Sequence, residues 1–276
     1  MFFRLVLFAA SVAALLVVQP APAAAPDRIV SLSPTATESL FAIGAGKQVV
    51  AVDDQSDYPK RAPRTALSGV TPNVEAIASY RPDLVVVQYD SGGVVEALRK
   101  LNIRVLVQPS AKNLKAAYAQ IAQLGVLTGH KLGAAAVIAR MKRAIARAVR
   151  STPRRARSVY HELSPDYYSA TSRTFIGGIY RLLGLRNIAD AADSSGSGYP
   201  QLSEEYILSA NPSLIVLADT RCCGQTVASV AKRPGWSGIA AVRTGSVVAV
   251  DDSVASRWGP RIVQFVQAVA KALRKR

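Results

Sequence analysis

Histidine and cysteine are almost missing from this sequence, with two of each in 276 residues. A centre for a bare zinc or manganese ion draws on several His and carboxylate ligands. His130 and His161 are too few for that, and His130 opens a long helical stretch. No G-x-S-x-G, H-E-x-x-H or C-x-x-C occurs, so the usual starting points for nucleophilic, zinc-dependent and dithiol catalysis are absent. Gly44-Ala45-Gly46-Lys47 is not a phosphate loop, because it follows a helix instead of joining a strand to one. Acidic residues are also scarce: 18 Asp and Glu face 34 Lys and Arg, a net charge of +16 and a pI near 10.2. That charge suits a soluble basic surface, an anionic ligand or attraction to an anionic envelope surface. It does not suit nucleic acid, because no basic run interleaves with aromatics. The cysteines, Cys222 and Cys223, are adjacent. Neighbouring residues rarely meet disulfide geometry without backbone strain, and an oxidising compartment leaves free thiols, a vicinal disulfide and an intermolecular link all open.

What is present begins with a leader. Met1 to Ala25 has a basic start at Arg4, an apolar run from Leu5 to Val18 and the small-residue end Ala21-Pro22-Ala23-Ala24-Ala25. This is the pattern of an export signal, and its apolar run is shorter than the ~20 residues of a membrane span. Cleavage is expected near Ala23 to Ala25, with no Cys nearby to carry a lipid. The mature chain is expected to be a soluble monomer, periplasmic or secreted. Half of the residues are hydrophobic and 19% are charged, which describes a folded chain and not a disordered one.

Gly129 to Arg150 is the longest regular stretch. Leu132, Ala135, Ala136, Ile138, Ala139, Met141, Ile145, Ala148 and Val149 recur at helical spacing, among strong helix formers. Some twenty residues make a rod of roughly 30 Å. Strand-like and helix-like segments alternate on both sides. The strands are expected at Arg28–Leu32, Val49–Val52, Pro82–Val87 and Ile103–Val107, then at Ser158–Tyr160, Ser213–Ala218 and Ser246–Val250. The pattern predicts an α/β chain: two Rossmann-like lobes with mostly parallel sheets, bridged by one long α-helix. The expected division is a leader over 1–25, an N-terminal lobe over 26–127, a linking helix over 128–152 and a C-terminal lobe over 153–276.

Two segments echo each other. Glu75-Ala76-Ile77 followed by Pro82 to Val86 returns as Glu205-Tyr206-Ile207 followed by Pro212 to Val216. VVAVDD also occurs twice, at Val49 to Asp54 and at Val247 to Asp252. Lobes of similar build explain both. In open α/β sheets ligands sit beyond the carboxyl ends of the strands. The loops placed there are Ser33-Pro34-Thr35, Asp54 to Tyr58, Gln88 to Ser91, Ser164 to Tyr168, Asp219 to Cys223 and Asp252 to Trp258. Thr35 and Glu38 fit a capping box at the first helix, whose N-terminus is either an ordinary turn or an anion site. Tyr58, Tyr89, Tyr167, Tyr168, Tyr199 and Trp258 gather on this predicted face, which favours a cleft for a large, flat ligand.

RIVSLSPTATE at the start, SDYP at Ser56 to Pro59, NVEAIASYRPDLVV at Asn73 to Val86, YPQLSEEYIL at Tyr199 to Leu208 and GPRIV at Gly259 to Val263 follow one another in order. In this order they resemble the substrate-binding proteins of ABC importers for cobalamin, haem and ferric siderophores, and cobalamin-binding members most. The resemblance implies no catalysis and no catalytic cofactor. It implies that cobalamin or haem is the transported ligand, and that Glu75 and Glu205, one on each lobe, dock a permease dimer. Gln55, the Ser68-Gly69 region and Gln88 stand where cobalamin binders tend to place aromatics, while Tyr199 keeps one. Haem binders use Tyr or His on the iron and Arg for the propionates. Tyr167, Tyr168, His161, Arg173, Arg221 and Arg257 are candidates for those roles. A more distant reading is an exported redox enzyme using Cys222 and Cys223.

Overall fold

The computed structural model describes residues 24–274. The leader expected over 1–25 lies, apart from its last two residues, outside the described residues. Four short strands, β1 (Ile29–Leu32), β2 (Val49–Val52), β3 (Leu84–Val87) and β4 (Arg104–Val107), alternate with helices α1 (Pro34–Ile43), α2 (Val74–Ser79), α3 (Val94–Lys100) and α4 (Leu114–Leu127). Helix α5 (Lys131–Arg150) follows. Beyond it come β5 (Arg157–Glu162), α6 (Phe175–Leu182), β6 (Leu185–Asn187), α7 (Glu204–Ala210), β7 (Leu214–Leu217), α8 (Val227–Ala231), α9 (Ala240–Arg243), β8 (Val247–Ala249), α10 (Asp252–Ser256) and α11 (Ile262–Arg274).

The strands form two four-stranded sheets in the orders β2-β1-β3-β4 and β6-β5-β7-β8. Every pairing is parallel. The central strands β3 (LVVV) and β7 (LIVL) are buried at every residue, as expected of strands covered on both faces. The two orders are the same permutation, so α2 and α7 occupy the same place, each leading into the third strand of its lobe. This places Glu75 and Glu205 in equivalent first turns. The seven expected strands are joined by an eighth, β6, that the spacing did not reveal. Strand β6 reads Leu-Arg-Asn, with burial only at its ends, and carries no β-branched run.

Helix α5 buries Ala134, Val137, Met141, Ile145 and Ala148. Spacings of three and four put these on one stripe, and the charged residues take the rest of the surface. The stripe packs against α1, α4 and α11, so one apolar cluster runs through both lobes, from Leu40 and Ile121 through Met141 to Phe265. Gly133 marks the closest approach, since a Cβ there would collide with the carbonyl of Ile43. Helix α1 stops just beyond, where Gly44 turns left-handed with φ 102°.

The capping box expected of Thr35 and Glu38 is not formed. Ser33 caps α1 instead, its hydroxyl accepting from the Ala36 N–H, with Pro34 in the first turn. Glu38 turns away to partners from the other lobe. A capping box does form at Thr226 and Ser229.

Candidate ligand-binding cleft

The segments that follow β1 and β2 meet those that follow β7 and β8 at the lobe junction. Ser33 and Thr35 are buried there. Ser33 is spent on its cap, and the Thr35 carbonyl accepts from the Ser39 hydroxyl. Beside them Thr37 donates to Ser31 at 2.9 Å and lies 2.9 Å from the Ser56 hydroxyl. These residues build the floor. Only Pro34 of the expected Ser33-Pro34-Thr35 contact keeps a partly open surface.

Arginines of the C-terminal lobe then reach acids of the N-terminal lobe. Arg257 donates to Glu38 Oε1 at 2.9 Å, to Asp57 Oδ1 at 2.8 Å and to the Gln55 carbonyl at 2.8 Å. Arg261 donates to both Glu38 oxygens, and Arg221 donates to Asp57 Oδ2 at 2.7 Å. Glu38 is 2% exposed, so it is a buried charge fully compensated by two guanidiniums. Burial pushes the Asp57 carboxyl up, but the hydrogen bonds from Arg221 and Arg257 outweigh it and hold the group below its usual range. Trp258 adds a wedge. Its indole N–H donates to Gln120 Oε1 at 2.7 Å, and its ring packs with Ala111 and Ala117. Arg221, Arg257 and Trp258, expected to touch ligand, therefore fasten the lobes together. Arg173 is likewise engaged, donating to buried Asp193 at 2.6 Å. Asp193 also accepts from the Gly198 N–H at 2.9 Å, which pins the glycine-rich loop leading to Tyr199.

Three tyrosines keep open faces. Tyr89 is 43% exposed, Tyr168 44% and Tyr199 51%. Tyr168 and Tyr199 rise from one backbone ribbon, tied by Ser169 N–H to the Pro200 carbonyl and Thr171 N–H to the Gly198 carbonyl, each at 2.9 Å. Tyr58 is also exposed, but its ring lies 4.3 Å from the Arg261 guanidinium. Tyr167 turns back into its lobe, with φ 66°. It stacks on Trp236 at 5.9 Å, with the Arg233 guanidinium 4.5 Å from the indole. Gln55 is exposed, and Gln88 donates to Ser110 at 3.3 Å. Between the lobes a polar pocket of about 430 Å³ is lined by Asp54, Gln55, Arg64, Cys222 and Arg257.

His161 is placed in the core and not at the cleft, which removes it as an iron ligand. Strand β5 runs two residues past its expected end and carries His161 inside. Its Nδ1 lies 2.6 Å from the Tyr180 hydroxyl, and burial pushes its imidazole down to about 3. Cys222 and Cys223 are joined as a vicinal disulfide on an exposed loop. Asp252 holds that loop by accepting from the N–H groups of Thr220, Arg221 and Cys222. Among the described residues no three His, Cys, Asp or Glu side chains gather where they could hold a metal ion.

This arrangement of paired parallel sheets about one helix is matched by known proteins. The profile of the periplasmic binding protein family covers residues 29–254. The chain belongs to that family. A cobalamin-binding protein of Halobacterium salinarum is 35% identical over 90% of this chain and 69% of its own length. An uncharacterised ABC transporter substrate-binding lipoprotein of Bacillus subtilis, YvrC, is 31% identical over 90% of this chain and 80% of its own. The crystal structure of the haem-binding protein HutB of Vibrio cholerae has a TM-score of 0.79 at 23% identity, covering 90% of this chain and 98% of that one. At that identity the likeness is one of fold.

The pairing across the lobes of this periplasmic binding protein escaped sequence reasoning. Glu38, Asp57 and Arg261 close the clasp, yet their partners lie more than 150 residues away in the chain. Arg233 also went unnoticed. It donates to both oxygens of buried Glu162 at 2.6 Å, just beneath the loop carrying the cysteines. Asp219, fully buried beside Glu162, is pushed up to about 7 by burial and by that neighbouring carboxylate. Glu75 and Glu205 are exposed. Their helices are capped by Asn73 and Ser203, so both carboxylates stand at helix N-termini, where the dipole favours them. A hydrogen bond at its own backbone N–H and one from Ser203 hold Glu205 below its usual range.

Proposed function

We propose that this periplasmic binding protein captures a corrinoid of the cobalamin class between its lobes and delivers it to the permease of an ABC importer. The observation that carries the choice of ligand is the state of the three arginines expected to meet propionates. Arg173, Arg221 and Arg257 are all committed to carboxylates. A haem presents two propionates and needs cations that are free to meet them. A corrin is a flat macrocycle edged by neutral amides, and it suits hydrogen-bonding Tyr and Gln side chains instead. Tyr89, Tyr168 and Tyr199 offer open rings, Gln88 precedes Tyr89 in the chain, and Gln55 is exposed in the inter-lobe pocket. The cobalamin-binding relative at 35% identity supports the same reading. The protein works outside the cytoplasmic membrane, and no described helix is long and apolar enough to cross one.

Replacing Tyr168 and Tyr199 together by Ala is expected to weaken cyanocobalamin binding by at least about tenfold, since a buried aromatic contact is commonly worth 1 kcal/mol or more. An unchanged affinity would sink this placement of the ligand. Delivery rests on Glu75 and Glu205 meeting basic pockets of the permease. Charge reversal of both to Arg should abolish uptake in cells while leaving affinity in solution unchanged. Normal uptake by that variant would remove the docking role.

A further inference from the structure

Charge is distributed unevenly along the chain. No Asp or Glu occurs between Glu96 and Glu162, so α4, α5 and the connection to β5 are free of acids. The C-terminal end of α5 approaches the turn after α6, and a concavity of about 650 Å³ opens between them. Four arginines line it: Arg150, Arg154, Arg155 and Arg181. All four are exposed, and among the described residues none of their guanidiniums meets a carboxylate. The contrast with the cleft is sharp, where Arg173, Arg221, Arg257 and Arg261 each hold an acid. The C-terminal dipole of α5 eases the cost at Arg150. It falls off within a turn and does not reach Arg181 on another helix.

We propose that this pocket binds a dense anion of the oligophosphate type. Arginine forks match phosphate oxygens two at a time, and four of them exceed what a single phosphate can use. The floor is formed by Val149, Thr152 and Leu183. The pocket lies where β5 and β6 begin, at the end of the lobe opposite the cleft loops. An occupant there competes neither with a cleft ligand nor with a partner at Glu205. The anion is either a soluble oligophosphate or the phosphate groups of a lipid headgroup.

The test is calorimetric titration of the mature chain with inorganic triphosphate at 0.15 M salt, alongside flotation with vesicles of phosphatidylglycerol or of phosphatidylcholine. Saturable one-to-one triphosphate binding is expected, weakened at least about tenfold by Arg154→Ala with Arg181→Ala, since hydrogen bonds between charged groups are among the strong ones. The pair Lys131→Ala with Arg143→Ala removes the same charge from α5, outside the pocket lining, and should leave binding within about twofold. Binding to anionic vesicles alone, lost with the Arg154 and Arg181 pair, assigns the site to a headgroup. Equal losses from both pairs, or no binding to either probe, would overturn the proposal.

Discussion

The two lobes share one topology and use opposite charges at their junction. The N-terminal lobe contributes Glu38 and Asp57, and the C-terminal lobe contributes Arg221, Arg257 and Arg261. Within the N-terminal lobe the floor is held by the hydroxyls of Ser31, Thr37 and Ser56, with the buried carboxyl of Asp53 beside Ser56. Within the C-terminal lobe it is held by a buried ion pair, Glu162 with Arg233, and by Asp219 beside it. Strand order therefore sets where the loops go, and side-chain chemistry sets how firmly each loop is kept. The clasp and the rigid α5 together leave the lobes little freedom to swing, so ligand entry should involve small movements of the loops and not wide hinge closure.

The largest effect should come from breaking the clasp on its acidic side. Glu38→Ala leaves two guanidiniums facing each other in a buried place, and removing one partner of a buried pair costs about 3–5 kcal/mol. Denaturant unfolding should show that loss. A change below about 1 kcal/mol would mean that the lobes do not depend on each other through Glu38. A smaller effect is expected where α5 crosses α1. Gly133→Val would force the helices apart against the Ile43 carbonyl, at about 1–3 kcal/mol for overpacking, again read from the unfolding midpoint.

Buried carboxyls give both lobes a pH signature: burial pushes Asp53 of the N-terminal lobe up to about 6, and Asp219 of the C-terminal lobe is pushed further. Asp219 titrates at about 7 when folded, against an ordinary value of 3.8. Between those values the folded protein holds a proton that the unfolded chain has lost, so this group makes stability fall as pH rises through the window. Asp219→Asn should flatten that fall, with the variant gaining on the parent from pH 4 towards pH 7. Parallel stability curves would show that Asp219 ionises freely. The smallest effect is expected from Arg173→Ala, whose side chain is largely exposed. Its pair with Asp193 should contribute no more than about 1 kcal/mol. Its loss should appear mainly as faster amide exchange over 193–199, with little change in global stability.

Much of the frame was legible in the sequence because it rests on local periodicity. The stripe of α5, the buried runs of β3 and β7 and the Glu-to-Pro echo all lie within short windows. The site was less legible because its bonds are long-range. Glu38 at a helix start reads as a capping residue, yet it answers to Arg257 and Arg261 more than 200 residues away. Arg257 and Trp258 sit on a cleft loop and still face the other lobe. His161 lies one residue past the expected strand Ser158–Tyr160, whereas the strand continues through Glu162, whose carboxylate is paired with Arg233 from far along the chain. The adjacent cysteines left three states open, and only the fold brings their sulfurs together.

The most direct measurement is a side-by-side titration of the mature protein with cyanocobalamin and with haemin, followed by calorimetry and visible absorption. A cleft in which Arg173, Arg221 and Arg257 are already neutralised predicts one-to-one cobalamin binding and no shift of the haem Soret band. A shifted Soret band with no response to cobalamin would contradict it.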